Sequence, residues 1–136
     1  AEWEYAARAG TNSAYPWGDA LGMNQANCLN EFCKDSFATT SPVGSFAANA
    51  FGLQDMQGNV QEWVADCWSS YNEPSMLQAL FSYLPNCQHW NEPDLNGLHV
   101  IRGGSWSSIR LLSSSRGGYE ATRRMDDLGF RVVRSE

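Results

Sequence analysis

The sequence predicts a single α+β domain with little regular secondary structure. Three observations lead to this prediction: one short helical segment, a few short strand segments, and two long stretches without apolar periodicity, at 11–50 and 69–98. A chain of 136 residues is long enough for one compact domain and too short for two of ordinary size. Apolar residues make up 43% and charged residues 18%, which excludes a disordered or collagen-like chain.

The first nine residues have the pattern of the end of a helix. Trp3, Ala6 and Ala7 follow helical spacing, and Gly10 suits the position just after a helix. No capping residue precedes this segment, so we expect the helix to begin upstream of it.

Strands are predicted mainly in the second half of the chain. We expect a turn and then a strand within 51–68, a strand over 100–106 that runs into two glycines, and a closing strand over 129–134. The interval 107–128 is polar and aperiodic. The loop-rich stretch 11–50 needs disulfides or metal ions to hold it within a compact domain.

Charge is unevenly distributed along the chain. Residues 1–68 hold eight acidic and two basic residues, whereas residues 69–136 hold seven of each. The seven basic residues of the second half are arginines between Arg102 and Arg134. Two interpretations are open: these arginines form a site for an anion or a nucleic acid, or they pair with acidic residues, namely Glu120, Asp126, Asp127 and those of the first half. An isoelectric point near 4.8 argues against a nucleic-acid partner. No apolar run approaches the ~20 residues of a membrane span, and no signal peptide is visible.

Four cysteines allow three disulfide pairings. The spacing has no C-x2-C motif, and His89 and His99 are the only further nitrogen ligands, so a zinc site is disfavoured. An even count without a redox motif indicates a location outside the cytoplasm. The pairs favoured by proximity in sequence are Cys28–Cys33 and Cys67–Cys87.

Seven segments, taken in order, resemble the formylglycine-generating-enzyme (sulfatase-modifying-factor) domain, a variant of the C-type lectin fold. They are AEWEYAARAG at 1–10, YPWG at 15–18, PVGSF at 42–46, NAFGLQDM at 49–56, GNVQEW at 58–63, RGGSW at 102–106 and LGFR at 128–131. The resemblance spans essentially all 136 residues and implies an irregular, C-type-lectin-like α+β fold for a single domain over 1–136. Family domains continue upstream of the first helix, so the resemblance implies that their N-terminal portion is missing here or lies in a separate piece.

The resemblance also implies which chemistry the chain lacks. Formylglycine generation uses two cysteines between the GGS and GFR motifs, because paired thiolates bind a soft ion such as Cu(I). Here no cysteine follows Cys87. In place of cysteines, the interval carries serines at 107, 108, 113, 114 and 115. Neither histidine lies near a nucleophile motif or forms an iron-binding triad. We therefore expect no formylglycine-generating activity of the usual kind.

By the same resemblance, two loops bind calcium, an ion that takes six to eight hard oxygen ligands. The first site would use the side chains of Asn27 and Asp35 with the carbonyls of Cys28 and Phe37. The second would use the side chains of Asp55 and Glu62 with the carbonyls of Gly58 and Val60.

Without the cysteine pair, the surface between the GGS and GFR motifs is interpreted as a binding face. Some proteins with this domain are variable receptors that retroelements diversify in this segment. The mixture of Tyr, Ser, Gly and Arg is typical of binding surfaces. The candidate ligand-binding residues are Ser107, Ser108, Arg110, Ser115, Gly117, Tyr119, Arg123, Met125 and Asp126.

Three functions then compete. The first is a non-catalytic, extracytoplasmic domain that binds a protein or glycan ligand through residues 107–127. The second is a regulatory or structural module of the same fold, attached to a kinase or a surface lipoprotein. The third is an oxidoreductase related to formylglycine-generating enzymes that works by other chemistry. An adjacent reverse-transcriptase gene would distinguish the first from the second, and a bound redox metal would favour the third.

Overall fold

The computed structural model describes residues 1–68 and 98–133. Among them it contains two short helices and one four-stranded mixed sheet, with strand order β3-β2-β1-β4. In chain order the elements are α1 (Glu2–Arg8), α2 (Asn30–Cys33), β1 (Gln61–Cys67), β2 (Leu98–Arg102), β3 (Gly117–Glu120) and β4 (Leu128–Phe130). Turns and loops form the remainder of the described chain, which confirms the predicted irregular α+β fold.

The sheet brings the last third of the chain onto the middle strand. β1 runs antiparallel to β2, with Trp63 opposite Ile101, and parallel to β4, with Trp63 opposite Phe130. β3 is antiparallel to β2 and places Tyr119 opposite His99. β3 therefore begins beside the C-terminal end of β2, with Gly117 opposite Ile101, and ends beside its N-terminal end, with Glu120 opposite Leu98.

Helix α1 ends as its sequence predicts. Ala9 adopts the left-handed conformation with φ of 46°, and its N–H donates to the Tyr5 carbonyl at 3.0 Å. Gly10 follows with φ of 91°, a region that glycine enters without steric strain. The buried face of the helix packs Trp3 and Ala7 against Met56.

The loop-rich stretch after α1 is held by a second apolar cluster and a disulfide. Tyr15, Ala26, Cys28, Cys33 and Leu111 form this cluster. Cys28 and Cys33 are bonded, which confirms the first predicted pair. The second predicted pair ends in Cys87, and this residue lies outside the described residues, so that pairing stays a prediction.

Three strand predictions need correction. The strand predicted over 100–106 begins at Leu98 and ends at Arg102, because Gly103 and Gly104 adopt positive φ and turn the chain. The segment 107–128 contains β3, a strand without apolar alternation that forms because β2 offers it an open edge. A Cβ added at Gly118 would lie 2.8 Å from Cγ of Trp68, so this glycine lets the strand approach closely. The closing strand is shorter than predicted and ends at Phe130, because Arg131 turns toward Glu62.

No helix within residues 1–68 and 98–133 has the length and apolar character needed to cross a membrane. The aperiodic stretch at 69–98 lies outside the described residues except for Leu98. His89 lies outside them as well.

Candidate ligand-binding site

A cavity of about 450 Å³ lies between the end of β2, strand β3 and the loop that joins them. Seven of the nine residues predicted for the binding face line it: Ser107, Ser108, Arg110, Ser115, Gly117, Tyr119 and Met125. The other two, Arg123 and Asp126, are exposed. Arg123 remains close to the cavity wall, since its guanidinium carbon lies 5.7 Å from the centre of the Tyr119 ring.

The loop that carries these residues is fixed at both ends. At its start, Gly104 has φ of 70°, and a Cβ there would lie 2.7 Å from the Arg110 carbonyl oxygen, so the turn requires glycine. Trp106 N–H then donates to the Asn59 carbonyl at 2.9 Å. Further along, Leu111 is completely buried in the cluster around the disulfide. The cavity wall is therefore part of the rigid scaffold.

Asp127 lies at the base of the cavity and is only 4% exposed. Its Oδ2 accepts hydrogen bonds from Ser105 Oγ at 2.7 Å, Ser107 Oγ at 3.1 Å and Gln61 Nε2 at 3.2 Å. Its Oδ1 has no hydrogen-bond partner among the described residues. Sequence reasoning missed Asp127, Ser105 and Gln61 as site residues. The available signal was their position in the motifs, since Gln61 lies within GNVQEW, Ser105 lies within RGGSW and Asp127 directly precedes LGFR.

Arg102 also borders the cavity but has a structural role. Its Nη2 donates to Glu4 at 2.7 Å and its Nη1 donates to the Ser115 carbonyl at 2.7 Å. Its guanidinium carbon lies 5.4 Å from the centre of the Trp3 ring. Partial burial alone would raise the pKa of Glu4, but hydrogen bonds from Arg102 and Arg8 outweigh this and lower it. This ion pair supports the interpretation that late arginines pair with the acidic first half.

Arg131, another arginine from the second half of the chain, forms an ion pair with Glu62 of the first half. Arg131 donates to both Glu62 carboxylate oxygens at distances from 2.6 to 2.9 Å. Trp3 Nε1 donates to the same carboxylate at 2.7 Å. The hydrogen bond to Glu62 raises the pKa of Arg131 above its ordinary value.

This contact decides whether the second calcium ligand set fits. Asp55 has one carboxylate oxygen that accepts from Gly44 N–H at 2.6 Å and another with no partner among the described residues. Glu62, however, already faces a guanidinium, which would repel a divalent cation at that carboxylate. The set formed by Asp55, Glu62 and the carbonyls of Gly58 and Val60 therefore does not fit calcium in this arrangement.

The first calcium ligand set fits better. Asn27 is buried, and its Oδ1 has no partner among the described residues. The Asp35 carboxylate accepts from the N–H groups of Cys28 at 3.2 Å and Phe37 at 2.8 Å, and its oxygens keep lone pairs for a metal ion. Within 1–68 and 98–133, no three His, Cys, Asp or Glu side chains are grouped as a metal site. A calcium ion here would thus be held by one carboxylate, that of Asp35, together with amide and backbone oxygens, which calcium accepts as ligands.

His99 is buried in the sheet rather than presented to the cavity. Burial lowers the pKa of its imidazole, and its ring packs edge-on against Trp63 with centres 6.3 Å apart. This arrangement agrees with the interpretation of His99 as a packed polar side chain.

Three curated relatives illustrate the range of proteins to which this chain is similar. A formylglycine-generating enzyme of Thermomonospora curvata is 42% identical over 80 residues, 52% of this chain and 26% of its own length. A serine/threonine-protein kinase pkn1 of Chlamydia caviae is 37% identical over 111 residues, 81% of this chain and 16% of its own. The inactive C-alpha-formylglycine-generating enzyme 2 of Mus musculus is 31% identical over 149 residues, 98% of this chain and 41% of its own.

Solved structures share the fold. PvdO of Pseudomonas aeruginosa superposes with a TM-score of 0.69 at 35% identity, over 95% of this chain and 48% of its own. Treponema denticola variable protein 1 superposes with a TM-score of 0.66 at 25% identity, over 95% of this chain and 43% of its own. This chain spans less than half the length of each of these proteins. The model of the sulfatase-modifying factor enzyme 1-like domain matches residues 1–136, and the chain therefore belongs to that family.

Proposed function

We propose that this domain is a non-catalytic binding module, which holds a protein or glycan ligand on the face formed by residues 107–127. The observation that carries this proposal is the gathering of seven of the nine predicted ligand residues around one cavity. These residues come from a segment without apolar periodicity, yet the fold places them along the wall of one cavity. Polar, aromatic and glycine residues on a rigid scaffold are typical of recognition surfaces.

The chemistry of the same segment supports binding rather than formylglycine generation. No cysteine follows Cys87, so the family's thiolate pair has no counterpart between the GGS and GFR motifs. Ser113 in this interval is completely buried, and its Oγ accepts from Gln57 Nε2 at 3.3 Å. One relative is named as inactive and one structural neighbour is named as a variable protein, which agrees with this proposal.

The face offers an aromatic anchor held in place from two sides. The Tyr119 ring packs edge-on against Trp63, with centres 6.4 Å apart, and Arg123 lies over it. Met125 lines the cavity nearby. Aromatic and arginine side chains dominate binding hot spots, and methionine adapts to irregular partners. We expect Tyr119, Arg123 and Met125 to anchor the ligand.

The covalent structure of the domain supports an extracytoplasmic setting. The disulfide between two buried cysteines, Cys28 and Cys33, agrees with an extracytoplasmic location. A variable receptor would also carry its diversity in codons 107–127. A reverse-transcriptase gene and a near-copy of these codons beside the gene would support diversification by a retroelement, and a genome without them would count against it.

Binding to a glycan array and to a panel of purified bacterial surface proteins tests the proposal. The double change Arg123→Ala and Met125→Ala should abolish any binding, while the melting temperature stays within a few degrees because surface changes rarely affect stability. Tyr119 is left in place because it packs against Trp63. The control is Lys34→Ala, which removes an exposed basic side chain outside residues 107–127. Binding unchanged by the double change, or no binding to either panel, would refute the proposal.

A further inference from the structure

Pairing with the acidic first half accounts for only some of the arginines in the second half of the chain. Arg102 forms an ion pair with Glu4, and Arg131 forms one with Glu62. Arg110 differs from both, because it lines the cavity and is exposed. Its guanidinium has neither an ion-pair partner nor a hydrogen-bond acceptor among the residues that the structure describes. The guanidinium of Arg110 is therefore available to a ligand in the cavity.

The hydroxyl of Ser108 lies beside this arginine on the same turn. The backbone N–H of Arg110 donates to Ser108 Oγ at 3.0 Å, so this oxygen is used as an acceptor and its own hydrogen remains available. Ser108 also lines the cavity, and its carbonyl accepts from Leu29 N–H at 3.2 Å, which holds the turn against the loop near the disulfide. One hydroxyl donor and one guanidinium are thus presented together on a held turn.

The acidic side chain in the cavity lining is much less accessible than this arginine. Asp127 is 4% exposed, its Oδ1 is buried, and its Oδ2 already accepts from three neutral donors. Arg110 is exposed, and Arg116 is half-buried, with its guanidinium carbon 4.7 Å from the centre of the Trp68 ring. The more accessible charges in the lining are therefore positive, although the chain as a whole carries a net charge of −6.

The remainder of the lining suits a compact, hydroxylated ligand. The cavity volume of about 450 Å³ lies within the range of roughly 300–1,000 Å³ that is usual for small-molecule sites. Glycines in the lining leave the backbone open to close approach by a ligand. Sugar hydroxyls both donate and accept hydrogen bonds, which matches serine hydroxyls and a side-chain amide. The lining supplies these groups from Ser107, Ser115 and Gln61, and the glycines are Gly103, Gly104, Gly117 and Gly118.

We propose, building on the binding function above, that this cavity recognises an acidic sugar residue, whose anionic group binds the Arg110 guanidinium and the Ser108 hydroxyl. A guanidinium presents its N–H donors in a fixed fork that matches the oxygens of a carboxylate. A sulfate ester offers the same kind of acceptor oxygens, so the ligand class comprises uronic acids and sulfated sugars. The hydroxyls of the sugar ring bind the serine and amide groups of the remaining lining.

Three small probes on the unchanged protein test this assignment. Methyl β-D-glucuronide carries a carboxylate, methyl β-D-glucoside 6-sulfate carries a sulfate, and methyl β-D-glucoside has the same ring without an acid group. Amide chemical shifts followed during titrations at millimolar concentration should show binding of an acidic probe at the cavity. The neutral glucoside should bind about tenfold more weakly or not at all, because charge-assisted hydrogen bonds are roughly twice as strong as neutral ones. The relative affinity of the two acidic probes distinguishes a carboxylate from a sulfate as the preferred group.

The variant Arg110→Gln keeps a polar side chain and removes its charge. It should weaken binding of the preferred acidic probe by about tenfold, to the level of the neutral glucoside. The melting temperature should stay within a few degrees, since Arg110 is exposed. The control Lys34→Gln removes an exposed positive charge outside the cavity and should leave binding unaltered.

Four results would overturn the assignment. They are equal binding of the glucuronide and the neutral glucoside, no binding of either acidic probe, binding of the acidic probes that Arg110→Gln leaves unchanged, and binding of N-acetyl-L-glutamate as strong as that of the acidic sugars. The last result would indicate an acidic peptide in place of a sugar. Failure here is separable from failure of the proposed function. If the acidic probes do not bind while Arg123→Ala with Met125→Ala still abolishes capture of a panel partner, only the assignment of an acidic sugar is wrong.

Discussion

The contact between Arg131 and Glu62 permits a quantitative test of what stabilises the domain. The Glu62 side chain is 6% exposed and the Arg131 side chain 30% exposed. Replacing Arg131 with alanine leaves the carboxylate with Trp3 Nε1 as its remaining donor among the described residues. Breaking a buried ion pair by removing one partner costs about 3–5 kcal/mol. Because part of Arg131 is in solvent, we expect the lower end of this range, about 3 kcal/mol.

Urea unfolding and thermal melts, each with chelator and with excess calcium, measure this loss. For a domain of this size, a loss of about 3 kcal/mol lowers the melting temperature by about 10 °C. The control is Arg124→Ala, which removes the same side chain from an exposed position and should change stability by less than about 0.5 kcal/mol. Arg131→Lys should fall between the two, since lysine keeps the charge but not the two-pronged contact.

Two results would refute this reasoning. A loss below about 1 kcal/mol in Arg131→Ala would show that the pair contributes no more than a surface ion pair. A gain in stability of the unchanged protein with calcium that Asp55→Asn abolishes would show that the second ligand set holds the ion despite the guanidinium. That result would contradict the conclusion that the Asp55 and Glu62 set does not fit calcium in this arrangement.

Three further predictions concern stability. Replacing both Cys28 and Cys33 with alanine should cost about 2 kcal/mol in urea unfolding, because the disulfide closes a short loop, and an unchanged midpoint would contradict this. Excess calcium should raise the melting temperature of the unchanged protein but not of Asp35→Asn, whereas a melting temperature indifferent to both calcium and chelator would argue against the first site. The lowered pKa of Glu4 means that its contribution is present above the ordinary value of 4.5 and is lost as the pH falls through the folded-state pKa. Glu4→Gln should therefore flatten the pH dependence of unfolding in acid, and an unaltered profile would contradict the assignment.

Some features were predictable because they depend on neighbours in sequence. The end of α1 follows from Gly10 and the apolar spacing before it, which are local properties of the chain. The pair Cys28–Cys33 follows from proximity of the two thiols. The order of the motifs was enough to predict the family and its irregular fold, since each motif marks a fixed turn or strand.

Other features depend on contacts between residues that are far apart in sequence. Strand β3 has no periodicity of its own and exists because β2 pairs with it. Arg131 lies 69 residues from Glu62, and Arg102 lies 98 residues from Glu4, so the choice of partner could not be read from the charge pattern.

The sequence by itself determined the family, the first disulfide, and which segment of the chain forms the candidate face. Only the tertiary structure decided that Asp127, rather than its exposed neighbour Asp126, lies at the base of the cavity. It also decided that Glu62 faces a guanidinium. Both outcomes depend on burial and on which distant side chains meet, and these are properties of packing that adjacent residues do not specify.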